Sequence, residues 1–173
     1  SLAQLTKRYI IEDKTGVEGG YVNDPSDSGK ETNHGCTIAL CTDYAPQLKQ
    51  LFGWSGRMID LTVEMAFWLY DTHFWARMRG DQIVDVHPLL ADKMFDVCIN
   101  SGVTTGVRML QEQLNLMNNG GTLYPDIVAD GKMGAGTLGA LTQYVKARGG
   151  EGIMRLIVML VAAQGGNFKD VAT

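Results

Sequence analysis

Apolar residues recur at helical spacing along most of the chain, and this pattern predicts a mainly helical fold. The first helix is expected to end at Gly16, and a second is expected to begin after Asp60, whose side chain suits an N-cap. The clearest stripe should stop where Asn118 and Asn119 precede two glycines. The apolar positions are Leu2, Leu5, Tyr9 and Ile10 in the first helix, Val63, Ala66, Phe67, Tyr70 and Phe74 in the second, and Val103, Val107, Leu110, Leu114 and Met117 in the third.

Two more helices are predicted toward the C-terminus, over residues 136–146 and 153–163, with Gly149, Gly150 and Gly152 between them. Strand composition is confined to residues 21–23 and 127–129. A chain of 173 residues, 45% hydrophobic and 20% charged, is large enough for one core or for two small lobes around a cleft. The pattern therefore predicts a mainly helical protein with a glycine-rich loop near its front.

The segment over residues 86–100 has apolar side chains around most of the helical circumference, which predicts a helix buried on nearly all sides. Asp92, Asp96 and Asn100 are spaced four residues apart and form one narrow polar stripe on that helix. A buried carboxylate needs partners. The stripe is therefore either a structural hydrogen-bond network or the wall of a cleft, and the sequence leaves both open.

Charge and hydropathy exclude several partners. The net charge of −4 and the absence of a basic face do not favour nucleic acid or anionic membrane. The apolar run over residues 153–163 contains Arg155 and is too short to span a bilayer, so we expect no stable membrane insertion. The chain opens at Ser1, and we expect that a preceding segment was removed, which leaves the route of export open. No pattern indicates oligomerisation, and we expect a monomer.

Three cysteines, Cys36, Cys41 and Cys98, are present, an odd number without C-x-x-C spacing. This predicts buried packing groups rather than a disulfide framework. A Cys–His nucleophile pair, such as Cys36 or Cys98 with His73, stays open at this point because such partners need only meet in space.

The stretch EGGYVNDPSDSGKETNHG, residues 18–35, fails three tests for ligand binding. A calcium loop beginning at Asp24 would need Glu at its twelfth position, where Gly35 stands. A phosphate loop would need Lys followed by Ser or Thr, but Lys30 is followed by Glu31. The three histidines lie far apart without an H-E-x-x-H motif, so zinc is not supported. We expect neither a metal ion nor a cofactor.

The same stretch suits the cleavage of a glycosidic bond. That reaction needs an acid to protonate the leaving oxygen and a second polar group to stabilise the transition state or to guide water. Glu18 at the junction of a helix and a loop is the candidate acid, Asp27 in a polar loop is the candidate ionised partner, and Thr32 adds a hydroxyl. The glycines between them allow backbone to approach a bulky substrate.

Four motifs resemble glycoside hydrolase family 108, the N-acetylmuramidases of bacteriophages and bacteria. The first and longest is EGGYVNDPSDSGKETNHGCT, whose E-G-G-[YF] glutamate is the family's proposed catalytic acid. The motifs YDTHFW, FDVCINSG and ADGKMGAGT follow in the family's order, so the resemblance covers about residues 5–141. The matching positions in these three motifs are Tyr70, Trp75, Asp96, Asn100, Gly102, Asp130, Gly131, Gly134 and Thr137.

The resemblance implies a mainly α, lysozyme-like helical domain with a short β-hairpin or loop near an N-terminal active site. Residues 1–88 are then the catalytic part, and residues 89–173 a helical part resembling a peptidoglycan-binding domain. The implied reaction is hydrolysis of the β-1,4 bond between N-acetylmuramic acid and N-acetylglucosamine, as a phage endolysin that lyses the host. The implied partner is the peptidoglycan glycan strand, and the implied place of action is the bacterial periplasm or cell wall.

For the site, the resemblance implies Glu18 as catalytic acid, with Asp27 and Thr32 completing a glutamate–aspartate–threonine set. Four residues separate Asp27 from Thr32, where phage lysozymes of this kind have five. Cys36 replaces the usual isoleucine of a G-I-T motif, which predicts a packing role for it. Candidate sugar-contacting or cleft-supporting residues are Tyr21, Asn33, Tyr70, Trp75, Asp96 and Asn100.

Two functions of other classes remain as alternatives. One is a Cys–His peptidoglycan peptidase or amidase, and the other is a non-catalytic protein that binds the wall or regulates its turnover.

Overall fold

The computed structural model describes residues 1–26 and 31–172, and the side chains of these ranges up to residue 166. Helices make up most of the described chain, which confirms the predicted mainly helical, lysozyme-like fold. The helices are α1 (Leu2–Lys14), α2 (Ile38–Asp43), α3 (Ala45–Phe52), α4 (Val63–Tyr70), α5 (Gly80–Val86), α6 (Pro88–Ser101), α7 (Val103–Leu116) and α8 (Ala135–Ala172), with a 3-10 turn at Met58–Asp60 and a π-helical turn at Asp71–Trp75. The strands are β1 (Thr32–Asn33) and β2 (Cys36–Thr37).

The chain divides into two compact units. One unit comprises residues 7–73, and the other comprises residues 1–6 together with residues 74–173. The boundary expected at residue 88 concerned the division of function between two parts, and it stays a prediction.

The unit of residues 7–73 contains the hairpin expected near the N-terminal site. Strands β1 and β2 are antiparallel, with Thr32 opposite Thr37 and Asn33 opposite Cys36. The two connecting residues, His34 and Gly35, both have positive φ, 51° and 76°, as a type I′ turn requires. The strand expected over residues 21–23 is reduced to a single bridge between Val22 and Thr32.

The start of α4 differs from the prediction. Thr62, not Asp60, is the N-cap, because its side chain accepts a hydrogen bond from the backbone N–H of Met65 at 3.2 Å. Asp60 lies in the preceding 3-10 turn, where its carboxylate accepts a hydrogen bond from the Ser55 hydroxyl at 2.7 Å. The predicted cap at Asp60 is therefore wrong.

Helix α6 is the central element of the other unit and packs against α5, α7 and α8. These neighbours explain why its apolar residues cover most of the helical circumference, as predicted for residues 86–100. Its first turn is capped by His87, whose Nδ1 accepts a hydrogen bond from the Leu89 N–H at 3.1 Å. The fully or nearly fully buried side chains of α6 are Leu90, Ala91, Met94, Phe95, Val97 and Cys98.

No strand forms at residues 127–129, contrary to the prediction. The amide group of Asn115 accepts a hydrogen bond from the Ile127 N–H at 2.8 Å and donates one to the Ile127 carbonyl at 2.8 Å. One side chain on α7 thus satisfies the backbone groups that a partner strand would have paired.

The glycines expected to separate the last two helices produce a kink inside α8. Gly149 has φ 61° and ψ −153°, a conformation that other residues rarely adopt. Across the kink, the Tyr144 hydroxyl donates a hydrogen bond to the Gly152 carbonyl at 2.7 Å. Within the described ranges, none of the helices combines the length and the apolar character that a membrane crossing demands.

Candidate active site

Glu18 lies in a tight turn directly after α1. The Gly19 N–H donates to the Gly16 carbonyl at 2.8 Å, so Val17 and Glu18 occupy the two middle positions of a four-residue turn, here called the Glu18 turn. The Val17 side chain is completely buried, whereas Glu18 is exposed. The backbone of the catalytic candidate is therefore anchored by its neighbour, and its carboxylate faces solvent.

The β-hairpin holds the Glu18 turn from the other side. His34 Nδ1 donates a hydrogen bond to the Val17 carbonyl at 2.9 Å. A Cβ added to Gly35 would lie 2.9 Å from Gly16 Cα and 2.7 Å from the Tyr70 hydroxyl, so only glycine permits this approach. The contact between the two backbones fixes Glu18 relative to the strand that carries Thr32.

Tyr70 supports this arrangement from the core. Its side chain is 7% exposed, and its hydroxyl makes hydrogen bonds with Cys36 and Thr15. Burial, followed by the proximity of Cys36, raises the pKa of the Tyr70 phenol. Tyr70 thereby joins the end of α1, the hairpin and α4, which suits a supporting role better than direct contact with a sugar.

Thr32, the candidate hydroxyl, is half-buried in β1. Its backbone is held by two hydrogen bonds to Val22, of 2.8 and 2.9 Å, in addition to its pairing with Thr37. Asp27, the candidate ionised partner, lies outside the described residues. The structure thus brings the Thr32 strand and the Glu18 turn together and leaves the role of Asp27 a prediction.

Asn33 and Tyr21 flank Thr32 with different exposures. Asn33 is 3% exposed, and its amide donates to the Met58 carbonyl at 2.8 Å, so it fastens the 3-10 turn to the hairpin. Tyr21 is 39% exposed, and its hydroxyl donates to Glu31 at 2.7 Å. Of these two candidates, Tyr21 has the surface that direct contact with a sugar requires.

In the other unit, Trp75 is a core residue. Only 1% of it is exposed, its indole N–H donates to Asp81 at 2.8 Å, and its ring meets Phe95 edge-on with 5.7 Å between centroids. Because Trp75 is buried, a cleft-supporting role suits it better than direct contact with a sugar.

The polar stripe of α6 forms a hydrogen-bond network. Lys93 Nζ lies 3.1 Å from the Asp96 carboxylate and 3.0 Å from the Gln164 amide oxygen. Asn100 donates to the Asp96 carbonyl at 2.8 Å. Asp96 and Asn100 thus belong to a structural hydrogen-bond network, while a cleft wall and sugar contact by these two residues stay predictions.

The three thiols lack the properties of a nucleophile. Cys36, Cys41 and Cys98 are all buried, with at most 1% exposed. Burial raises the pKa of Cys36 to about 12, of Cys41 to about 11 and of Cys98 to about 12. A reactive cysteine needs a lowered pKa and access to substrate. The predicted packing role is confirmed, and the Cys–His hypothesis loses its nucleophile.

Comparison with known proteins identifies the family of the chain. The family model described as glycosyl hydrolase 108 matches residues 12–102, more than half of the chain. The chain belongs to the glycosyl hydrolase 108 family. The matched range contains Glu18, Thr32 and the hairpin between them, and the assigned activity is that of a glycoside hydrolase.

A second model, described as a predicted peptidoglycan domain, matches residues 105–173 of this glycosyl hydrolase 108 protein. The two matches together identify a peptidoglycan hydrolase whose substrate is the bacterial cell wall. The solved structure of SagA from Brucella abortus is similar to this chain, with a TM-score of 0.51 and 22% identity over 95% of this chain and 94% of that one. At that identity the likeness concerns the fold alone. No curated protein matches the chain.

Sequence reasoning did not single out the residues that position the candidate acid, Glu18. Val17 and His34 hold the Glu18 turn by burial and by one hydrogen bond. A signal for the second was present, because His-Gly between two short β-prone pairs is compatible with a type I′ turn. Arg57 lies twenty positions after the end of the first motif and had no local signal.

Proposed function

We propose that this peptidoglycan hydrolase is an N-acetylmuramidase, with Glu18 as its general acid. It cleaves the β-1,4 bond between N-acetylmuramic acid and N-acetylglucosamine. The observation that carries the proposal is the Glu18 turn, in which an exposed carboxylate stands on a backbone held by buried Val17, by His34 and by the close approach of Gly35. A rigid support for an accessible acid is what proton transfer to a bound substrate needs.

In the proposed reaction, Glu18 donates its proton to the glycosidic oxygen as the bond from that oxygen to the anomeric carbon breaks. Water adds to the anomeric carbon and gives up a proton, which restores the acid. Asp27 stabilises the positive charge that develops on the sugar, and Thr32 positions the water or the Asp27 carboxylate.

The biological setting is proposed from the family resemblance and the second matched model. Residues 89–173 hold the enzyme on the wall, and the enzyme acts as a monomer on glycan strands in the periplasm or wall of a bacterium. We propose that it serves as a phage endolysin in host lysis. The match of residues 105–173 to a predicted peptidoglycan domain supports the wall-binding part of this proposal.

The proposal is tested by identifying the sugar at the new ends of the cleaved glycan strands. Purified peptidoglycan is digested, the new reducing ends are reduced with borohydride, and the hydrolysed sugars are identified. An N-acetylmuramidase gives muramitol. Glucosaminitol as the product, or new amino groups without new reducing ends, would contradict the proposed bond specificity, and the amino groups would indicate a peptidase or amidase.

A further inference from the structure

A small cleft lies beside Thr32 in the unit of residues 7–73. Its volume is about 260 Å³, which suits a single small group such as one sugar residue with its substituent. It includes Tyr21, three residues after Glu18, and Glu31, which directly precedes Thr32. The residues that line it are Tyr21, Glu31, Ile38, Gly56, Arg57, Met58 and Ile59.

Tyr21 is held in place within this cleft. Its hydroxyl donates to Glu31 at 2.7 Å, and its neighbour Val22 bridges to Thr32 through two backbone hydrogen bonds. With 39% of the residue exposed, the ring offers an apolar surface on a fixed support. Aromatic rings with one polar end suit ligands that, like a sugar, have both apolar and hydroxylated faces.

The cleft has two charged side chains, Glu31 and Arg57, and Arg57 is the one available to bind a ligand. Its backbone is fixed on both sides, because the Trp54 indole N–H donates to the Arg57 carbonyl at 3.0 Å and the Arg57 N–H donates to the Ser55 hydroxyl at 3.1 Å. Glu31 already accepts the bond from Tyr21. Within the described part of the chain, the Arg57 side chain is exposed and forms no ion pair.

The phenol of Tyr21 reports the charges in the cleft. The hydrogen bond to Glu31 raises the pKa of Tyr21, and the positive charge of Arg57 opposes that rise. The charge of Arg57 therefore acts on the Tyr21 side chain.

We propose that this cleft recognises a carboxylate carried by the muramoyl residue of the glycan, with Arg57 as the residue that binds it. The inference rests on the proposed muramidase function and names which of the two alternating sugars the enzyme reads. Only N-acetylmuramic acid bears a lactyl group, which ends either in a free carboxylate or in a peptide stem with carboxylates of its own. A guanidinium binds a carboxylate through two parallel hydrogen bonds. Ile38 and Ile59, 41% and 52% exposed, offer apolar surface for methyl groups of the same sugar.

Kinetics on three soluble substrates test this proposal. They are glycan strands with peptide stems, strands stripped of their stems so that the lactyl carboxylate is free, and stripped strands whose carboxylates are methyl esters. Arg57→Gln is compared with wild type, with Arg57→Lys and with Arg8→Gln, which removes an exposed arginine from α1 in the same unit. Thermal unfolding of each variant checks that it is folded.

For Arg57→Gln we expect a KM increased about tenfold on carboxylate-bearing strands, with kcat little changed, because a charged hydrogen-bonding pair is lost. On the methyl esters, Arg57→Gln and wild type should have equal KM. Arg57→Lys should keep part of the affinity, and Arg8→Gln should keep all of it. The difference in KM between wild type and Arg57→Gln should shrink as salt is added. An effect confined to stem-bearing strands identifies a stem carboxylate, and an effect confined to stripped strands identifies the lactyl carboxylate.

An unchanged KM for folded Arg57→Gln on both carboxylate-bearing substrates would overturn the proposal, as would an equal loss on the methyl esters. Calorimetric binding of the disaccharide N-acetylglucosaminyl-N-acetylmuramic acid and of its methyl ester repeats the comparison without turnover. Wild-type end-group analysis separates the two failures. Glucosaminitol would reject the muramidase function, whereas muramitol with an indifferent Arg57 would reject only the carboxylate site.

Discussion

At the scale of single residues, the site depends on groups that hold Glu18 rather than on contacts of Glu18 itself. Val17 is buried beside an exposed acid, so two consecutive residues of one turn have opposite functions. Anchoring through a neighbour leaves the carboxylate free for substrate. This division of roles is visible only in the structure, because an apolar residue before a glutamate is common in any sequence.

The thiols give a prediction at this scale. We expect Cys36, Cys41 and Cys98 to react slowly with iodoacetamide at pH 8 in the native protein, because all three are buried and their pKa values are raised to about 11 or 12. Treatment under native conditions should leave the rate of peptidoglycan clearing unchanged. Mass spectrometry counts the modified thiols, and the same treatment in urea should modify all three.

Rapid native modification of one thiol, accompanied by loss of clearing, would contradict this account and revive the Cys–His hypothesis.

The buried thiols also make the stability of the fold depend on pH. Because the folded protein keeps its thiols protonated above pH 9, where the unfolded chain loses these protons, the thiols make stability fall as pH rises from 9 toward 12.

At the scale of elements, the β-hairpin is the part that positions the Glu18 turn. It is only two residue pairs long, so its type I′ turn and its contact with Gly16 carry the geometry. Gly35 is the second of the two central residues of that turn. It has positive φ, and its backbone lies in close contact with Gly16.

Replacing Gly35 with alanine tests this element. The change imposes a left-handed conformation on alanine and places its Cβ 2.7 Å from the Tyr70 hydroxyl and 2.9 Å from Gly16 Cα. We expect a loss of about 2–4 kcal/mol in the free energy of unfolding, from strain and overpacking together. Urea denaturation followed by circular dichroism measures it.

Gly53→Ala is the matched control, because Gly53 also has positive φ, 67°, but a Cβ there would meet no atom within 4 Å. It should lose only about 1 kcal/mol, the conformational part. Equal losses for the two variants would show that the contact between Gly35 and Gly16 does not matter to the fold.

Among the elements, length decided which ones the sequence could predict. The stripes that became α1, α6 and α7 span thirteen or fourteen residues each, so the helical period was sampled several times. Helices α2, α3 and α5, of six to eight residues, are too short for a period to be distinguished and were not predicted. Helix α4 also has eight residues, but its apolar stripe continues to Phe74 in the π-helical turn, so its period was visible. The false strand at residues 127–129 was apolar, but its backbone is paired by the Asn115 side chain, a contact that no local pattern reveals.

For the candidate site, the sequence predicted the acid, its hydroxyl neighbour and the hairpin, because these lie within one contiguous motif. It did not predict Arg57, which reaches the motif only through the fold of residues 54–60. Tyr70 and Trp75 were found as matching positions, but burial decides whether an aromatic residue supports a cleft or lines it, and that is a property of packing.

At the scale of the whole molecule, the glycosyl hydrolase 108 match covers residues 12–102 and the predicted peptidoglycan domain covers residues 105–173. The two compact units of the structure divide elsewhere, between residues 73 and 74, and residues 1–6 belong with the later unit. The candidate acid Glu18, the supporting residue Tyr70 and the proposed carboxylate-binding residue Arg57 all lie within the unit of residues 7–73. The whole chain carries a net charge of −4. The cleft contains one arginine, beside Glu31, whose carboxylate is hydrogen-bonded to Tyr21, and this suits recognition of one carboxylate rather than of a polyanion.

The central claim is that Glu18 is the acid of a peptidoglycan glycosidase. Clearing of purified peptidoglycan by Glu18→Gln tests it most directly, with Glu64→Gln as control, because Glu64 is also exposed but lies in the first turn of α4 and has no part in the proposed site. Both variants should unfold at the wild-type temperature, since neither side chain is buried. Loss of a general acid costs about a hundredfold to ten-thousandfold in rate, so the clearing rate of Glu18→Gln should fall to that extent while Glu64→Gln keeps wild-type clearing. Near-wild-type clearing by folded Glu18→Gln would contradict the account.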